Sequence, residues 1–161
     1  MDTNTLIKEK ANGQMQLVTF SLNNEEFALD IFRVREINKM IKITVIPNAA
    51  GYVEGIINLR GTVIPVINLN EKLNMTYQNK LDASEIIVVE IKNQLVGLIV
   101  DNVNQVIRIS SDDISETPEA AVNLNFDINY SVVNLDDRLI ILLNIDSLLS
   151  RSELSDLQQA V

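Results

Sequence analysis

Apolar and polar residues alternate along two neighbouring stretches near the start of the chain. From Leu17 to Leu22 every second residue is large and apolar, and the same period of two continues from Glu26 to Ile31. Such alternation is typical of a strand that buries one face. Asn23-Asn24, between the two stretches, favours a tight turn because Asn tolerates positive φ. The pattern therefore predicts a β-hairpin.

Two later pairs of stretches repeat this form. Ser84 to Ile91 and Gln94 to Val100 are apolar almost without interruption, which indicates strands covered on both faces. Val132 to Leu135 and Arg138 to Asn144 form the other pair. Ile and Val are abundant, and β-branched residues favour sheets. Strands are therefore expected to dominate, and helical signals are few.

The best helical signal is the C-terminal tail, residues 150–161. Asp146 or Ser152 is expected to cap short helical turns there, because both residue types accept hydrogen bonds from the first turn of a helix. The apolar residues of these turns are Leu148, Leu149, Leu154 and Leu157. The tail is interpreted as an accessory to the β fold.

An internal repeat divides the chain into two halves. Three blocks match in the same order, and they include matched Asn and Pro residues. The blocks are Leu17 to Ile37 over Ile86 to Val106, Ile43 to Pro47 over Ile114 to Pro118, and Ile56 to Leu73 over Val132 to Leu149. Each half is expected to form a small barrel of about five strands, which leaves few open edges. Because so small a unit is marginal alone, the halves should pack together and leave a groove at the waist.

Composition then excludes several classes of protein. The chain has 161 residues, of which 47% are hydrophobic, and a net charge of -9. The charge disfavours nucleic acid and anionic lipid as partners. The absence of His and Cys excludes thiol nucleophiles, disulfides, the Ser-His-Asp triad and common zinc sites. No apolar run is long enough to insert into a membrane, and the polar N-terminus has no secretory pattern, so a cytoplasmic protein with a flexible segment at residues 1–15 is expected.

Acidic pairs are the only candidates for catalysis. Asp112-Asp113 and Asp136-Asp137 provide the two carboxylates that a glycoside hydrolase needs. Both pairs lie in predicted turns, where Asp commonly serves as a turn or cap residue. A carboxylate-based hydrolase is therefore kept only as a remote alternative. No catalytic, metal or cofactor site is expected.

One charged pair is unique to the first half. Glu36 and Arg60 stand where the second half has Gln105 and Asp136. One interpretation is a surface ion pair of about 0 to 1 kcal/mol. The other is a guanidinium held by a carboxylate at the groove mouth, with Val34 and Ile37 as apolar anchors for a partner.

The segment from Gly55 to Leu69, which contains Asn58-Leu59-Arg60-Gly61, resembles the signature of the CheW family of chemotaxis coupling proteins. Phe27 to Ile37 and Leu95 to Val103 resemble the family's other recurrent stretches, in the same order. The resemblance covers about Gln16 to Leu149. It departs from the family at Asn68, where Asp is usual.

The resemblance implies an all-β fold of two intertwined five-stranded SH3-like β-barrel subdomains, about 17–80 and 84–149, in one domain over 16–149. It implies a non-enzymatic adaptor without cofactors, monomeric in isolation, that joins the cytoplasmic tips of chemoreceptors to the regulatory domain of a CheA-type histidine kinase in arrays at the membrane. A paralogous coupler of a pilus-motility or other chemosensory-like pathway is the alternative. The partner-binding residues expected from the resemblance and the repeat are Val34, Glu36, Ile37, Gly55, Leu59, Arg60, Val100 and Val103, with Ser115 and Ala120 at a possible second contact for the kinase or a ring.

Overall fold

The computed structural model describes residues 14–75, 83–115 and 128–160. Its strands are β1 (Gln14–Leu22), β2 (Glu25–Asp30), β3 (Val34–Lys39), β4 (Val53–Leu59), β5 (Thr62–Asn68), β6 (Glu85–Ile91), β7 (Gln94–Val100), β8 (Asn102–Ser110), β9 (Ile114–Ser115), β10 (Tyr130–Leu135) and β11 (Arg138–Leu143). Two α-helices, α1 (Leu69–Lys72) and α2 (Arg151–Ala160), and three 3-10 turns, Ile31–Arg33, Ser111–Asp113 and Ile145–Ser147, complete the described fold. The all-β prediction with short helical turns and a C-terminal helix is confirmed. No helix among the described residues is long and apolar enough to cross a membrane.

The strands form two sheets. One has the order β8-β1-β2-β11-β10-β9 and the other the order β3-β6-β7-β5-β4. Neighbours are antiparallel except for β2 with β11 and β5 with β7, which are parallel. We call the five-stranded unit the first subdomain and the six-stranded unit the second.

Each half of the sequence contributes strands to both sheets. The hairpin of β1 and β2 belongs to the first half but pairs with β8 and β11, whereas the hairpin of β6 and β7 pairs with β3 and β5. The predicted ranges 17–80 and 84–149 therefore describe the sequence repeat but do not bound the sheets. The halves exchange their leading hairpins.

The repeat is visible in local backbone detail. Both leading hairpins turn through two residues at positive φ, Asn23-Asn24 in one and Lys92-Asn93 in the other. The shift in register between Val34 and Glu36 on β3 recurs on β8, where Phe20 pairs with Val103 and Thr19 with Gln105. One extra residue at the same place in both halves is a β-bulge. The duplication is therefore structural as well as sequential.

Three apolar clusters stabilise the described part of the chain. The largest joins the two sheets, since Phe20 and Phe27 of one sheet lie in the same buried cluster as Ile87 and Leu98 of the other. A smaller cluster around Val66 and Val88 belongs to the first subdomain. Another, around Leu17 and Val133, belongs to the second. The clusters place one core inside each subdomain and a larger one between them.

Two sequence predictions about chain ends need correction. β1 begins at Gln14, so the expected flexible segment of residues 1–15 is too long, while residues 1–13 lie outside the described part. The caps also differ from those expected. Asn144 accepts the backbone N–H of Asp146, and Ser150 accepts that of Glu153, so neither Asp146 nor Ser152 is a cap.

Candidate docking site

The turn between β4 and β5 presents Arg60 to solvent. Arg60 and Gly61 both have positive φ, and the backbone N–H of Gly61 donates to Asn58 Oδ1 at 2.9 Å. Positive φ is unfavourable for a long side chain but not for Gly. Asn58 and Gly61 thus build the turn, and Arg60 is displayed at its tip.

Arg60 is paired with Glu36, as predicted. Its Nη2 lies 2.5 Å from Glu36 Oε2. The other carboxylate oxygen of Glu36 accepts a hydrogen bond from Asn38 Nδ2 at 2.8 Å. The hydrogen bond from Arg60, and then that from Asn38, lowers the pKa of Glu36. The Glu36 side chain is 27% exposed and that of Arg60 is 73% exposed, so the carboxylate anchors a guanidinium that remains accessible.

A cleft of about 440 Å³ opens beside this pair. Arg35 and Glu90, themselves in contact, line it together with Glu36 and Arg60. Apolar side chains line the rest, among them that of Leu59. Glu36, Leu59 and Arg60, three of the predicted site residues, therefore meet at one cleft on the first subdomain.

A second group of predicted residues lies on the face of β3 opposite the cleft and on β8. Val34 and Val103 pack against the central cluster between the sheets. Ile37 pairs in register with Ile87, which is also buried in the central cluster, and remains 40% exposed. We call Val34, Ile37, Val103 and the 52% exposed Val106 the apolar seam.

The seam is built from two equivalent strand edges. β3 and β8 are the terminal strands of their sheets. The repeat matches Val34 with Val103 and Ile37 with Val106. Val106 was not among the predicted site residues, although its match to Ile37 was a signal that could have included it. Exposed apolar residues on strand edges that no other described strand covers are suited to contact with another protein.

Two of the predicted residues are not positioned to touch a partner. Val100 is completely buried in the central cluster. Gly55 is buried at positive φ, and a Cβ there would lie 2.1 Å from the backbone oxygen of Thr44. The neighbouring residue Ile56 exchanges two backbone hydrogen bonds with Thr44. This placement favours a structural role for Gly55 and Val100 over direct contact.

The remaining candidates fall elsewhere. Ser115 is exposed in β9, far along the sheet order from the seam, and Ala120 lies outside the described residues. Asp136 and Asp137 form the exposed β10–β11 turn. Asp113 caps a 3-10 turn by accepting the backbone N–H of Ser110. The acidic pairs therefore occupy turn and cap positions, and the described residues hold no group of three or more potential metal ligands.

Two β subdomains joined by a shared core, with a displayed arginine and an apolar seam, define a protein-docking β domain. Comparison with known proteins makes this specific. The family model of the CheW-like domain matches residues 16–153. The chain therefore belongs to the CheW-like domain family.

Individual relatives agree with the family model. The chain is similar to the chemotaxis protein CheW of Rhizobium meliloti, with 34% identity over 91% of this chain and 94% of the relative. It is similar to CheW of Klebsiella aerogenes, with 34% identity over 89% and 86% of the two chains. The crystal structure of the scaffolding protein TtCheW from Thermoanaerobacter tengcongensis superposes with a TM-score of 0.78 at 38% identity, covering 86% of this chain and 94% of that one.

Proposed function

We propose that this chain couples the cytoplasmic tips of chemoreceptors to the regulatory domain of a CheA-type histidine kinase. The proposal places it in the cytoplasm, in arrays at the membrane, as a protein that forms no covalent intermediate. The observation that supports it best is the apolar seam, an uncharged and accessible surface on β3 and β8, while Glu36, on the opposite face of β3, holds Arg60.

The seam matches the needs of a helical partner. A helix docks through a stripe of apolar residues about one to two turns long, and it contacts side chains rather than open backbone groups. Val34 and Val103 offer half-buried contacts, and Ile37 and Val106 offer more exposed ones. The four residues of the seam carry no charge, so they supply affinity. The Glu36–Arg60 ion pair orients the partner.

Signal transfer requires only differential binding. A scaffold that binds two states of a kinase unequally shifts their populations by the difference in binding free energy, and by no more. The shared central core makes the body rigid enough to transmit the position of one partner to the other. No step in this mechanism needs a nucleophile, a metal or a proton transfer.

The test measures binding of the purified chain to a receptor tip fragment and to a kinase regulatory domain by calorimetry. Ile37→Asp and Val106→Asp should each weaken receptor binding by about tenfold or more, since a carboxylate would be desolvated against an apolar stripe. Leu139→Asp is the matched control, because Leu139 is equally exposed but lies on β11, away from the seam. The control should leave receptor binding unchanged.

Two results would contradict the proposal. One is the absence of any complex with either partner at tens of micromolar. The other is equal weakening by Ile37→Asp and Leu139→Asp. Receptors that co-purify from cells would show whether the coupled pathway drives flagella, pili or another output.

A further inference from the structure

The cleft beside the Glu36–Arg60 pair has an apolar floor. The floor consists of Leu59, Ile64, Val88 and Leu95. Ile64 and Val88 are buried, and Leu59 and Leu95 pack against the core cluster of the first subdomain. With a volume of about 440 Å³ the cleft is near the small end of the range for binding pockets. It is too small for a helix, whose diameter is about 10 Å, but it admits one large side chain.

A β-bulge gives this floor its charged rim. Val34 pairs with Val89 and Glu36 pairs with Val88, so Arg35 is the extra residue of β3. The bulge breaks the alternation of the strand, and Arg35 and Glu36 consequently line the same cleft. Each of the two arginines on the rim is held by a carboxylate on a neighbouring strand or turn.

The second subdomain has the same bulge, on β8, but different residues occupy the positions that correspond to the floor. By the repeat, Thr19 of the second subdomain stands where the first subdomain has Val88, and Thr19 is completely buried. Its hydroxyl donates to the backbone oxygen of Gln105 at 3.1 Å and accepts the N–H of the same residue. This buried position of the fold therefore accepts a polar side chain whose hydrogen bonds are satisfied.

The outer part of the floor differs in the same way. Glu26 of the second subdomain stands where the first subdomain has Leu95, and it accepts two hydrogen bonds from Arg138 Nη2 at 2.8 and 2.7 Å. The second subdomain thus accepts Thr and Glu where the first subdomain has Val and Leu. The apolar floor is specific to the first subdomain, and the architecture does not require it.

Charge identifies the chemistry of the occupant. The guanidinium side chains of Arg60 and Arg35 are 73% and 55% exposed, whereas their partners Glu36 and Glu90 are 27% and 32% exposed. The cations are thus the outermost charges of the rim, on a chain whose net charge is -9. A partner with carboxylates is repelled by the molecule as a whole and attracted at this cleft, which makes the cleft selective.

We propose that this cleft binds one large apolar side chain of a protein partner whose neighbouring residues are Asp or Glu. The apolar side chain enters above Val88 and Leu95, and the flanking carboxylates meet Arg35 and Arg60. The inference rests on the proposed function in one respect: the proposed function says which proteins are coupled, and one of them carries the side chain that enters the cleft. The cleft is separate from the apolar seam, which lies on the other face of β3.

The test is an NMR titration of the full chain, labelled with nitrogen-15, with three blocked tripeptides. The probe is acetyl-Glu-Phe-Glu-amide, and the comparison peptides are acetyl-Glu-Ala-Glu-amide and acetyl-Lys-Phe-Lys-amide. We expect saturable shifts of the amides of Leu59, Val88 and Leu95 with the probe. Binding of each comparison peptide should be at least tenfold weaker.

Variants drawn from the repeat make the test specific. Leu95→Glu copies Glu26, the corresponding residue of the second subdomain, and should abolish the shifts. Leu139→Glu, on the far strand β11, should leave them unchanged. The double variant R35E/R60E keeps the floor and should reverse the preference towards acetyl-Lys-Phe-Lys-amide, which gives a second readout if Leu95→Glu disturbs folding.

Two outcomes overturn the inference. One is equal affinity for the Phe and Ala peptides. The other is a shift map centred on Ile37 and Val106 in place of the cleft. Because the peptides are independent of kinase and receptor, failure here leaves the coupling experiment untouched, and failure to bind those proteins leaves this result valid.

Discussion

Arg60 occupies a backbone conformation that disfavours arginine. Its φ of 51° is in the left-handed region, where a residue with a Cβ costs about 1 to 2 kcal/mol. The equivalent residue of the second half, Asp136, has φ 53° but belongs to a residue type that tolerates this region. The exposed ion pair of Arg60 returns no more than about 1 kcal/mol. Folding alone therefore gives no reason for arginine at this position.

Replacing Arg60 by Gly should separate folding from docking. We expect the free energy of unfolding to stay equal or rise by about 1 kcal/mol, because the strain at positive φ is removed. Receptor binding should weaken by about tenfold. Urea unfolding and calorimetry measure the two quantities, and Asp136→Gly is the control with the same backbone and no expected effect on binding. A loss of 2 kcal/mol or more in stability would assign Arg60 a structural role.

For Gly55 we expect the opposite result, a loss of stability on substitution. A Cβ at this residue would lie 2.1 Å from Thr44 O and 2.8 Å from the side chain of Ile43. Since backbone cannot move aside cheaply, Gly55→Ala should destabilise the protein by about 3 kcal/mol or more. Gly51→Ala is the control, because no atom of the described residues other than Gly51 and its two chain neighbours lies within 4 Å of its Cβ position. Urea unfolding that shows equal stability for the two variants would contradict the structural role.

Among the elements, α2 is more than an accessory. Leu154 and Leu157 are buried in the central cluster. Glu153 accepts the backbone N–H of Ser150 at 2.8 Å, and its other oxygen lies 2.8 Å from Lys72 Nζ. The hydroxyl of Tyr52 donates to that same oxygen at 3.0 Å. Helix α2 is thereby attached to α1 and to the start of β4.

The same contacts make the attachment sensitive to acid. Burial opposes ionisation of Glu153, but hydrogen bonds from Lys72, Ser150 and Tyr52 outweigh it and lower its pKa to about 2. Burial, and then the hydrogen bond to Glu153, raises the pKa of Tyr52. A carboxyl with a lowered pKa stabilises the fold above its unfolded value, near 4.5, and this stabilisation is lost as pH falls towards 2.

Glu153→Gln should therefore remove part of the acid sensitivity. We expect the substitution to lower the free energy of unfolding by about 2 kcal/mol at pH 7, since the groups that donate to the carboxylate then lose a charged acceptor. The difference in the free energy of unfolding between the variant and the unmodified chain should decrease as pH falls from 5 to 2. Urea unfolding across this range measures it, with Glu71→Gln on α1 as the control. A difference that is constant with pH would contradict the assignment.

The sequence predicted the elements better than their ends. The hairpins were predictable because turn pairs such as Asn23-Asn24 and Asp136-Asp137 separate apolar stretches, and the structure has turns at both. The start of α2 was missed, although Ser150 and Glu153 have the spacing of a capping box. Asp146 and Ser152 have suitable side chains too, and only the backbone geometry selects among such neighbours.

The candidate site was predictable only in part. The repeat singled out Glu36 and Arg60, and the structure pairs them. Strand alternation alone does not show the bulge at Arg35, so the sequence did not reveal that Arg35 and Glu36 line one cleft. Nor does it show that Val100 is buried between two sheets while Val106 is exposed, because both are valines in strands.

The whole molecule depends on the exchange of hairpins between halves. β2 pairs with β11, and β7 pairs with β5, so both sheets need strands from both halves. The sequence repeat showed two equivalent halves but not this exchange, because pairing partners far apart in sequence leave no mark on local patterns. Neither half contains a complete sheet.

Splitting the chain should consequently abolish folding of the parts. Two fragments, one ending at residue 75 and one beginning at residue 83, are each expected to be unfolded alone, because each would leave open strand edges and half of the central cluster exposed. Mixed in equal amounts they should assemble into the native fold. Circular dichroism and NMR spectra of the separate and mixed fragments measure this, and a folded single fragment would contradict it.

The shared bulge and the exchanged hairpins give the molecule an internal two-fold relationship between unlike halves. A symmetric pair of identical chains can only offer every surface twice, so any substitution that suits one ligand is imposed on both copies. Joining the copies into one polypeptide releases that restriction. With arginine at one turn and aspartate at the equivalent turn, one small domain presents different surfaces on its two subdomains. A connector between two different proteins needs at least this difference.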